Sequence, residues 1–401
     1  MPSSSTPSPS TWSTSCWRRC GARRAVTPIS LSQHRPARRH HPPGRPRSSR
    51  PPPAPDARVL AVRLQAPGKA LVLENVPVPN PSGTQVLVRV AGCGVCHTDL
   101  HIARGEMPRV MLPITLGHEV SGWVDAWGPE AAASLHAARL RRGDPVLVFG
   151  GWGCGECADC RSGEEQRCAA GSSPGFQVDG GYAERMLVPD ARHLVPLGAI
   201  EPVRAAPLAD AGLTPYRAVR RAGPWLRPGA RVLIIGFGGL GQFALQYLRR
   251  VADLRVGISE VSQEKVALAL AMGADAATDA TAPERVADDL GGPAEVAFDF
   301  VGTDATLAFC AGLLAPGGLL MIVGEGGGAL RFGFAASAVE SWATTSAWGS
   351  MEELRQVVAM AAAGALTWDV EPMPLAQAAA AHARLASGQV RGRIVLVPGV
   401  N

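Results

Sequence analysis

The spacing of hydrophobic residues differs between parts of the chain. Between residues 59 and 207, short apolar runs rich in β-branched residues are separated by segments rich in proline and glycine: VLAVRL, TQVLVRVAGCGV, EVSGWVDAW, DPVLVF and ERMLVP. Such runs are typical of β-strands bounded by turns. The pattern predicts a β-rich domain that carries long loops.

After residue 207, strand-like runs alternate with segments of helical period. Strands are predicted at RVLIIGFGG, LRVGISE, AEVAFDFVG and GGLLMIVGE, and helices at LGQFALQYLRRVA and SQEKVALALAMGA. This alternation indicates a parallel, doubly wound sheet, so the fold class is α/β. The final helix and strands, from MEELRQVV to RGRIVLVPGV, are expected to rejoin the first domain.

The first 58 residues differ in composition from the rest of the chain and show no periodic pattern of apolar residues. They hold eleven arginines and a single acidic residue, Asp56, among many serines and prolines. We expect this segment to be disordered, because it cannot form a core and its prolines forbid the amphipathic helix of a transit peptide. A start codon assigned too early is one explanation of its origin.

Charge and composition narrow the function classes. The net charge of +5 comes from that first segment, since the rest of the chain carries 28 basic and 33 acidic residues. We therefore expect no nucleic-acid partner. No run of eighteen apolar residues occurs, so no membrane span is predicted. The nine cysteines suit reduced thiols, which favours a cytoplasmic location.

Four cysteines lie close together in WGCGECADCRSGEEQRC, namely Cys154, Cys157, Cys160 and Cys168. Paired C-x-x-C steps can aim four thiolates at one tetrahedral zinc ion. Two disulfides are the alternative, but they would close very short loops in a chain with an ample core. Because four protein ligands leave no open position, we interpret this zinc as structural.

A glycine-rich turn follows a predicted strand and opens a helix, with Gly236, Gly238, Gly239, Leu240 and Gly241 in order. Its backbone N–H groups would meet a pyrophosphate at the helix N-terminus. Glu260 follows nineteen residues later, where a carboxylate would bind ribose hydroxyls and repel a 2′-phosphate, which favours NAD over NADP. The alternative is a glycine turn that only lets helix and strand pack closely.

A second metal site is indicated by Cys96 in CHTDLH and by His118 in GHE. Alone, such a pair proves little. Beside a nicotinamide site it makes chemical sense, because a Lewis acid with three protein ligands and one open position stabilises the alkoxide that releases hydride.

Taken together, these motifs resemble the zinc-dependent medium-chain alcohol dehydrogenases, with four motifs in the family's order between residues 59 and 398. The resemblance implies a GroES-like catalytic domain formed by both ends of the chain around a Rossmann domain. The expected divisions are residues 1–58, 59–210, 211–345 and 346–401.

The resemblance also implies roles for single residues. Cys96, His118 and Asp210 would hold the catalytic zinc, with Glu119 near the metal and Asp99 behind His118. A proton relay would run from Thr98 through cofactor hydroxyls to His101. The implied cofactor-binding residues comprise the glycine-rich turn and four further side chains: Gly236, Gly238, Gly239, Leu240, Gly241, Glu260, Lys265, His97 and Arg393.

Asp210 departs from the cysteine that many relatives carry at the third-ligand position. An aspartate oxygen is an ordinary zinc ligand, and the wording DAGLTPY is similar to that of a bacterial subgroup acting on secondary alcohols with NAD. The alternative is that Asp210 only caps a helix. Residues 131–142 are expected to form a surface loop, and Trp348 is a candidate for shaping the pocket.

We therefore expect a zinc alcohol dehydrogenase that uses NAD and two zinc ions per subunit, one catalytic and one structural. Its substrates would be secondary, medium-chain or aromatic alcohols and the matching ketones or aldehydes. The same fold acting on polyols or other alcohols, or a zinc-stabilised nucleotide sensor without turnover, are the alternatives. The resemblance also implies a homotetramer rather than a dimer, because the stretch from Cys168 to Asp210 lacks the longer connection of the dimeric animal and plant members of the family.

Overall fold

The computed structural model describes residues 57–107, 109–251, 253–279 and 284–399, so residues 1–56 of the segment expected to be disordered lie outside it. The strands are β1 (Arg58–Leu64), β2 (Val72–Pro77), β3 (Val86–Gly94), β4 (Ile114–Thr115), β5 (Glu119–Trp127), β6 (Pro145–Val148), β7 (Arg185–Val188), β8 (Leu194–Pro196), β9 (Arg231–Ile235), β10 (Arg255–Glu260), β11 (Ala276–Asp279), β12 (Ala294–Asp299), β13 (Leu314–Ile322), β14 (Trp342–Thr345), β15 (Val370–Pro374) and β16 (Arg393–Val397).

The helices are α1 (His97–Arg104), α2 (Ala132–Ala137), α3 (Ala158–Arg161), α4 (Pro202–Ala205), α5 (Leu213–Arg221), α6 (Gly239–Leu248), α7 (Gln263–Ala271), α8 (Glu284–Leu290), α9 (Asp304–Leu313), α10 (Met351–Ala362) and α11 (Ala378–Ala386). The segment 131–142 was expected to be a loop, and this was wrong in part because it contains α2. Within the described ranges, no helix is long and apolar enough to cross a membrane.

Strands from both ends of the chain share one mixed sheet. Its order is β15-β16-β3-β5-β6-β8, and β7 also pairs with β3. Strand β16 runs antiparallel to β3, with Leu396 opposite Cys93 and Val395 opposite Gly94. The C-terminal strand therefore lies beside the strand that leads into Cys96. Strands β2, β1 and β4 form a smaller sheet.

The middle of the chain forms a six-stranded sheet in the order β11-β10-β9-β12-β13-β14, in which every pairing is parallel. The predicted α/β class with a doubly wound parallel sheet is confirmed. Side chains of β9 alternate between two apolar layers, with Val232 and Ile234 in one and Leu233 and Ile235 in the other. Burial on both faces explains why this strand is apolar throughout.

The order of this sheet reverses between β9 and β12, which are neighbours although far apart in sequence. Crevices at the carboxyl ends of strands on either side of such a reversal are the usual ligand sites of open α/β sheets. In this chain the glycine-rich turn leaves β9 at that point, and Glu260 ends the adjacent strand β10.

Candidate active site and metal centres

Four residues that are distant in sequence meet beside the mixed sheet. Cys96 directly precedes α1, His118 and Glu119 stand at the start of β5, and Asp210 lies between α4 and α5. One ligand atom from each lies within 4.8 Å of every other. Cys96 Sγ is 3.7 Å from Asp210 Oδ2, and His118 Nε2 is 3.6 Å from the same oxygen.

The two oxygens of Asp210 have separate environments. The Thr214 hydroxyl, in the first turn of α5, donates a hydrogen bond of 2.5 Å to Oδ1. Oδ2 faces Cys96 and His118. The carboxylate thus contacts the start of α5 and the potential ligand set at once, so contact with the helix does not remove it from the site.

Glu119 is fully buried and held by a guanidinium group from the other end of the chain. Arg393 Nε donates to Glu119 Oε2 at 2.9 Å, and a second Arg393 nitrogen donates to Oε1. The carboxylate fills the space next to Gly94, where a Cβ atom would lie only 1.8 Å from it. Burial raises the pKa of Glu119, although the Arg393 charge acts in the opposite direction.

The charges of the site fit a divalent cation. Burial would lower the pKa of His118, but the charge of Asp99 and the close approach of Asp210 and Cys96 raise it well above its usual value. For Asp210, burial opposes ionisation, yet His118 and Arg393 hold its pKa below the usual range. The site thus stabilises positive charge at the His118 ring, and its S, N and O donors are those that zinc takes.

A buried chain of polar side chains supports His118 from behind. Asp99 Oδ1 lies 3.6 Å from His118 Nδ1, and both atoms lack a hydrogen bond although they are buried. Asp99 Oδ2 accepts the Cys96 N–H at 2.9 Å and the Tyr182 hydroxyl at 3.1 Å. The Tyr182 oxygen lies 3.2 Å from Nε2 of His382, on α11. These polar side chains fix the orientation of the His118 ring, whose Nε2 would bind a metal.

Aromatic side chains stand beside the ligand set. The ring centroids of Trp348 and Phe176 lie 5.9 and 5.7 Å from that of His118. Trp348 has a φ of +49°, and its indole N–H donates to the Ala209 carbonyl at 3.1 Å. The indole occupies the space over Gly150, where a Cβ atom would lie 2.0 Å from the ring.

The residues of the expected relay are only partly connected. Thr98 Oγ1 lies 3.5 Å from Cys96 Sγ, so the hydroxyl borders the ligand set. His101 Nδ1 is hydrogen-bonded to the carboxylate of Glu106, which lies two residues beyond the end of α1. The Thr98 hydroxyl donates instead to Glu325, in the loop after β13, at 3.1 Å.

The glycine-rich turn presents an open backbone at the N-terminus of α6. Gly236 has a φ of +85°, which favours glycine, and a Cβ atom on Gly241 would lie 2.2 Å from the Gly236 carbonyl oxygen. At Gly238 a Cβ atom would meet nothing within 4 Å. Leu240 instead packs against the core. A pyrophosphate fits such a turn, because the first N–H groups of a helix have no partner within the helix and Gly238 borders open space.

Glu260 and a group of cations border this turn. Glu260 accepts hydrogen bonds from the Phe237 N–H at 2.7 Å and the Ser262 N–H at 3.1 Å. Loss of solvent contact and the positive charges of Arg393, His101, Lys265 and Arg104 lower the pKa of His97 to about 4. Arg393 Nη1 would lie 3.2 Å from a Cβ atom on Gly239. Arg393 therefore reaches both Glu119 and the turn, in a field that suits an anion.

The four clustered cysteines converge on one point. Their sulfurs all lie within 4.8 Å of one another, with Cys154 and Cys160 3.9 Å apart and Cys157 and Cys168 3.8 Å apart. All cysteines in the described ranges are free, so the structure does not contain the two disulfides of the alternative interpretation. Backbone N–H groups of Glu156 and Cys157 lower the pKa of Cys154 to about 6, which favours the thiolate that zinc binds.

Glu165 connects this cysteine lobe to the rest of the protein. Its carboxylate accepts hydrogen bonds from the Gly153 N–H at 3.1 Å and from Arg192 at 3.0 Å, and lies 3.2 Å from Nε2 of buried His193. The His193 ring lies against Phe149 of the core. Glu165 and His193 therefore form one of the links between the lobe and the main body, beside the Arg217 contact with Glu164.

Several residues of the site were missed by sequence reasoning: Glu325, Tyr182, His382, Phe176 and Glu106. Of these, only His382 left a signal, as a polar residue within the alanine-rich helix AAAAHARLA. The others lie in loops; Glu106 contacts His101 five residues away, whereas Glu325, Tyr182 and Phe176 approach the site only through folding.

The comparisons with known proteins agree with this geometry. Residues 82–199 match the alcohol dehydrogenase GroES-like domain, and residues 272–396 match the zinc-binding dehydrogenase domain. An NAD-dependent alcohol dehydrogenase from Sulfurisphaera tokodaii is 34% identical over 84% of this chain and 99% of its own. A D-arabinose 1-dehydrogenase (NADP(+)) from Saccharolobus solfataricus is 35% identical over 84% of this chain and 97% of its own.

A crystal structure of the alcohol dehydrogenase from Aeropyrum pernix superposes with a TM-score of 0.78 at 38% identity, covering 84% of this chain and all of that one. Fold, motifs and relatives agree along the same stretch of sequence, so the predicted family is confirmed. The chain belongs to the zinc-dependent alcohol dehydrogenases of the medium-chain family.

Proposed function

We propose that this enzyme interconverts secondary, medium-chain or aromatic alcohols and the corresponding ketones or aldehydes, with NAD as the hydride carrier. One observation carries the proposal: the donor atoms of Cys96, His118 and Asp210 converge in a buried site that the Thr98 hydroxyl borders at 3.5 Å from Cys96 Sγ. A cation-binding site next to a proton-accepting hydroxyl is what alcohol oxidation requires.

Cys96, His118 and Asp210 would hold the zinc, and the glycine-rich turn would hold the cofactor. When bound, zinc would supply Lewis acidity to the alcohol oxygen, and NAD would accept the hydride. Thr98 would then take the hydroxyl proton of the substrate. Asp99 would orient His118, and Arg393 would keep the Glu119 carboxylate ionised although it is fully buried.

The Glu260 carboxylate supports the choice of NAD over NADP. Two backbone N–H groups hold this carboxylate at the end of β10, beside the glycine-rich turn. A 2′-phosphate at that position would face a fixed negative charge, and like charges brought together cost several kcal/mol at an interface. Trp348 and Phe176 offer aromatic surface beside His118, which supports a preference for apolar substrates.

The wider organisation is part of the proposal. Each chain would carry two zinc ions, the second one held by Cys154, Cys157, Cys160 and Cys168 as a structural site. Residues 59–210 and 346–401 would form the catalytic domain, and residues 211–345 the NAD-binding domain of a cytoplasmic enzyme. A homotetramer is supported by the edge strand β14, whose Trp342 is 61% exposed, and by Phe334, which is 96% exposed in the segment before that strand.

The decisive experiment is a substrate panel. Purified enzyme would be assayed for NADH formation with primary, secondary, aromatic and polyhydroxy alcohols, with NAD and NADP in parallel. We expect the highest kcat/KM with secondary or aromatic alcohols and NAD. Turnover of polyols alone, or preference for NADP, would replace the proposed substrate or cofactor. Absence of turnover on every alcohol would refute the proposal.

A further inference from the structure

One hydrogen bond near the metal site has no place in the expected relay. The Thr98 hydroxyl, in the first turn of α1, donates to the carboxylate of Glu325 at 3.1 Å across 227 residues of sequence. His101, which the relay would reach through the cofactor, has its Nδ1 bonded to Glu106. In this structure the direct partner of the Thr98 hydroxyl is therefore a carboxylate.

The backbone on both sides of Glu325 is fixed by hydrogen bonds, which places this residue within reach of Thr98. The Gly324 N–H donates to the Asp299 carbonyl at 2.9 Å, and the Gly326 N–H donates to the Val301 carbonyl at 3.0 Å. A Cβ atom on Gly324 would lie 2.2 Å from the Val301 backbone, which shows how tightly the loop packs. The Glu325 side chain itself is exposed, so a proton that it accepts can pass to water.

The bond also orients the Thr98 oxygen. Because its proton points to Glu325, the lone pairs of Oγ1 remain free for a donor on the side of the ligand set, where Cys96 Sγ lies 3.5 Å away. A substrate hydroxyl bound at that site would meet an acceptor. A hydroxyl placed between a donor and a carboxylate is the arrangement that general base catalysis needs.

We propose that Glu325 is the proton acceptor behind Thr98, which gives the enzyme a route to solvent that uses neither the cofactor hydroxyls nor His101. The substrate O–H proton passes to Thr98 Oγ1 as the Thr98 proton passes to a Glu325 carboxylate oxygen. The hydrogen on the carbinol carbon leaves with its electron pair to NAD, so the alcohol is oxidised and NAD is reduced. Glu325 then releases its proton to water. This assignment rests on the proposed function.

The test compares Glu325→Gln with wild type and with His101→Gln. Glutamine keeps an oxygen that accepts the Thr98 bond but cannot take its proton, so a purely structural role would survive the change. We expect kcat for alcohol oxidation to fall at least tenfold in Glu325→Gln and less than threefold in His101→Gln, since positioned acid–base groups contribute about a hundredfold or more. Zinc content and NADH affinity, measured by metal analysis and by fluorescence, should stay at wild-type values.

A matched control removes one exposed carboxylate elsewhere in the catalytic domain, Glu130→Gln, and should keep wild-type kcat. Chemical rescue sharpens the result: formate added to Glu325→Ala should restore at least part of the lost rate, because a small carboxylate can enter the vacated space.

Four outcomes overturn the assignment. Unchanged kcat in Glu325→Gln with active wild-type enzyme would refute it alone, as would loss of NADH affinity in parallel with kcat. Failure of formate to rescue Glu325→Ala would assign the carboxylate a structural role. Inactivity of the wild-type enzyme on every alcohol would refute the proposed function and this assignment with it.

Discussion

Replacement of Tyr182 by phenylalanine tests the buried polar chain behind the catalytic site. The Tyr182 ring is fully buried and packs against Gly117, whose Cβ atom would lie 2.4 Å from it. Phenylalanine keeps this packing and removes only the hydroxyl. Burial and the charge of Asp99 raise the pKa of Tyr182 well above its usual value, so the hydroxyl that is lost is protonated.

The loss falls on two partners. Because the Tyr182 proton is donated to Asp99 Oδ2, the contact of 3.2 Å with His382 requires that Nε2 donates to the Tyr182 oxygen. Asp99 loses a hydrogen bond to a charged group, worth about 1.5–3 kcal/mol, and His382 keeps a buried donor without a partner, which costs about 1–3 kcal/mol. Since Asp99 retains the Cys96 N–H bond, we expect a total loss of about 3 kcal/mol.

The measurement is urea unfolding of wild type and variants at pH 7, with zinc release to a chelator followed in parallel. Tyr247→Phe is a matched control, because its buried hydroxyl donates only to the neutral carbonyl of Gly212, at 2.8 Å. That change should cost about 1 kcal/mol. Tyr182→Phe should also lose the catalytic zinc about tenfold faster, since groups that orient a ligating histidine change metal affinity by about 10–100-fold.

The reasoning would be refuted if Tyr182→Phe were no less stable than Tyr247→Phe and released zinc at the wild-type rate. A double variant with His382→Leu separates the two contributions. If the hydroxyl and the imidazole act together, the losses should be less than additive, because the second change leaves fewer buried groups unpaired.

Three further predictions concern the metals, the cofactor and the pH dependence of stability. Cys96→Ser should abolish turnover but leave NADH binding nearly intact, whereas Cys157→Ser should lower stability first; metal analysis should find about one zinc ion in each variant. Glu260→Ser should raise kcat/KM with NADP at least tenfold by removing the like charge, and unchanged discrimination would show that the carboxylate does not face the ribose. Burial lowers the pKa of His193 although its bond to Glu165 acts in the opposite direction, so below its ordinary value of 6.5 the unfolded chain binds a proton that the folded protein does not. Stability should therefore fall as the pH is lowered from 7 to 5, and urea midpoints of His193→Gln should show a weaker dependence over that window.

Much of this protein follows from spacing within short stretches of sequence. The strand at Glu119–Trp127 coincides with the predicted run EVSGWVDAW, because alternation between two apolar faces is a property of the segment itself. The cysteine lobe and the glycine-rich turn could likewise be predicted from the sequence. In each motif the functional groups lie within fifteen residues, so local backbone geometry brings them together. Strands such as β2 and β14, with partly exposed and mixed residues, gave no such signal.

The partners around the active site were decided by tertiary structure. Asp210 lies 114 residues from Cys96, Glu325 lies 227 from Thr98, and Arg393 lies 274 from Glu119. The Arg393 side chain, expected to bind the cofactor, contacts Glu119 through two nitrogens and also borders Gly239 of the glycine-rich turn. No spacing rule connects residues so far apart, because the register of β16 on β3 and the packing of the β13 loop depend on the whole fold. Sequence determines which groups can do the chemistry; the long-range packing of the fold determines which of them meet.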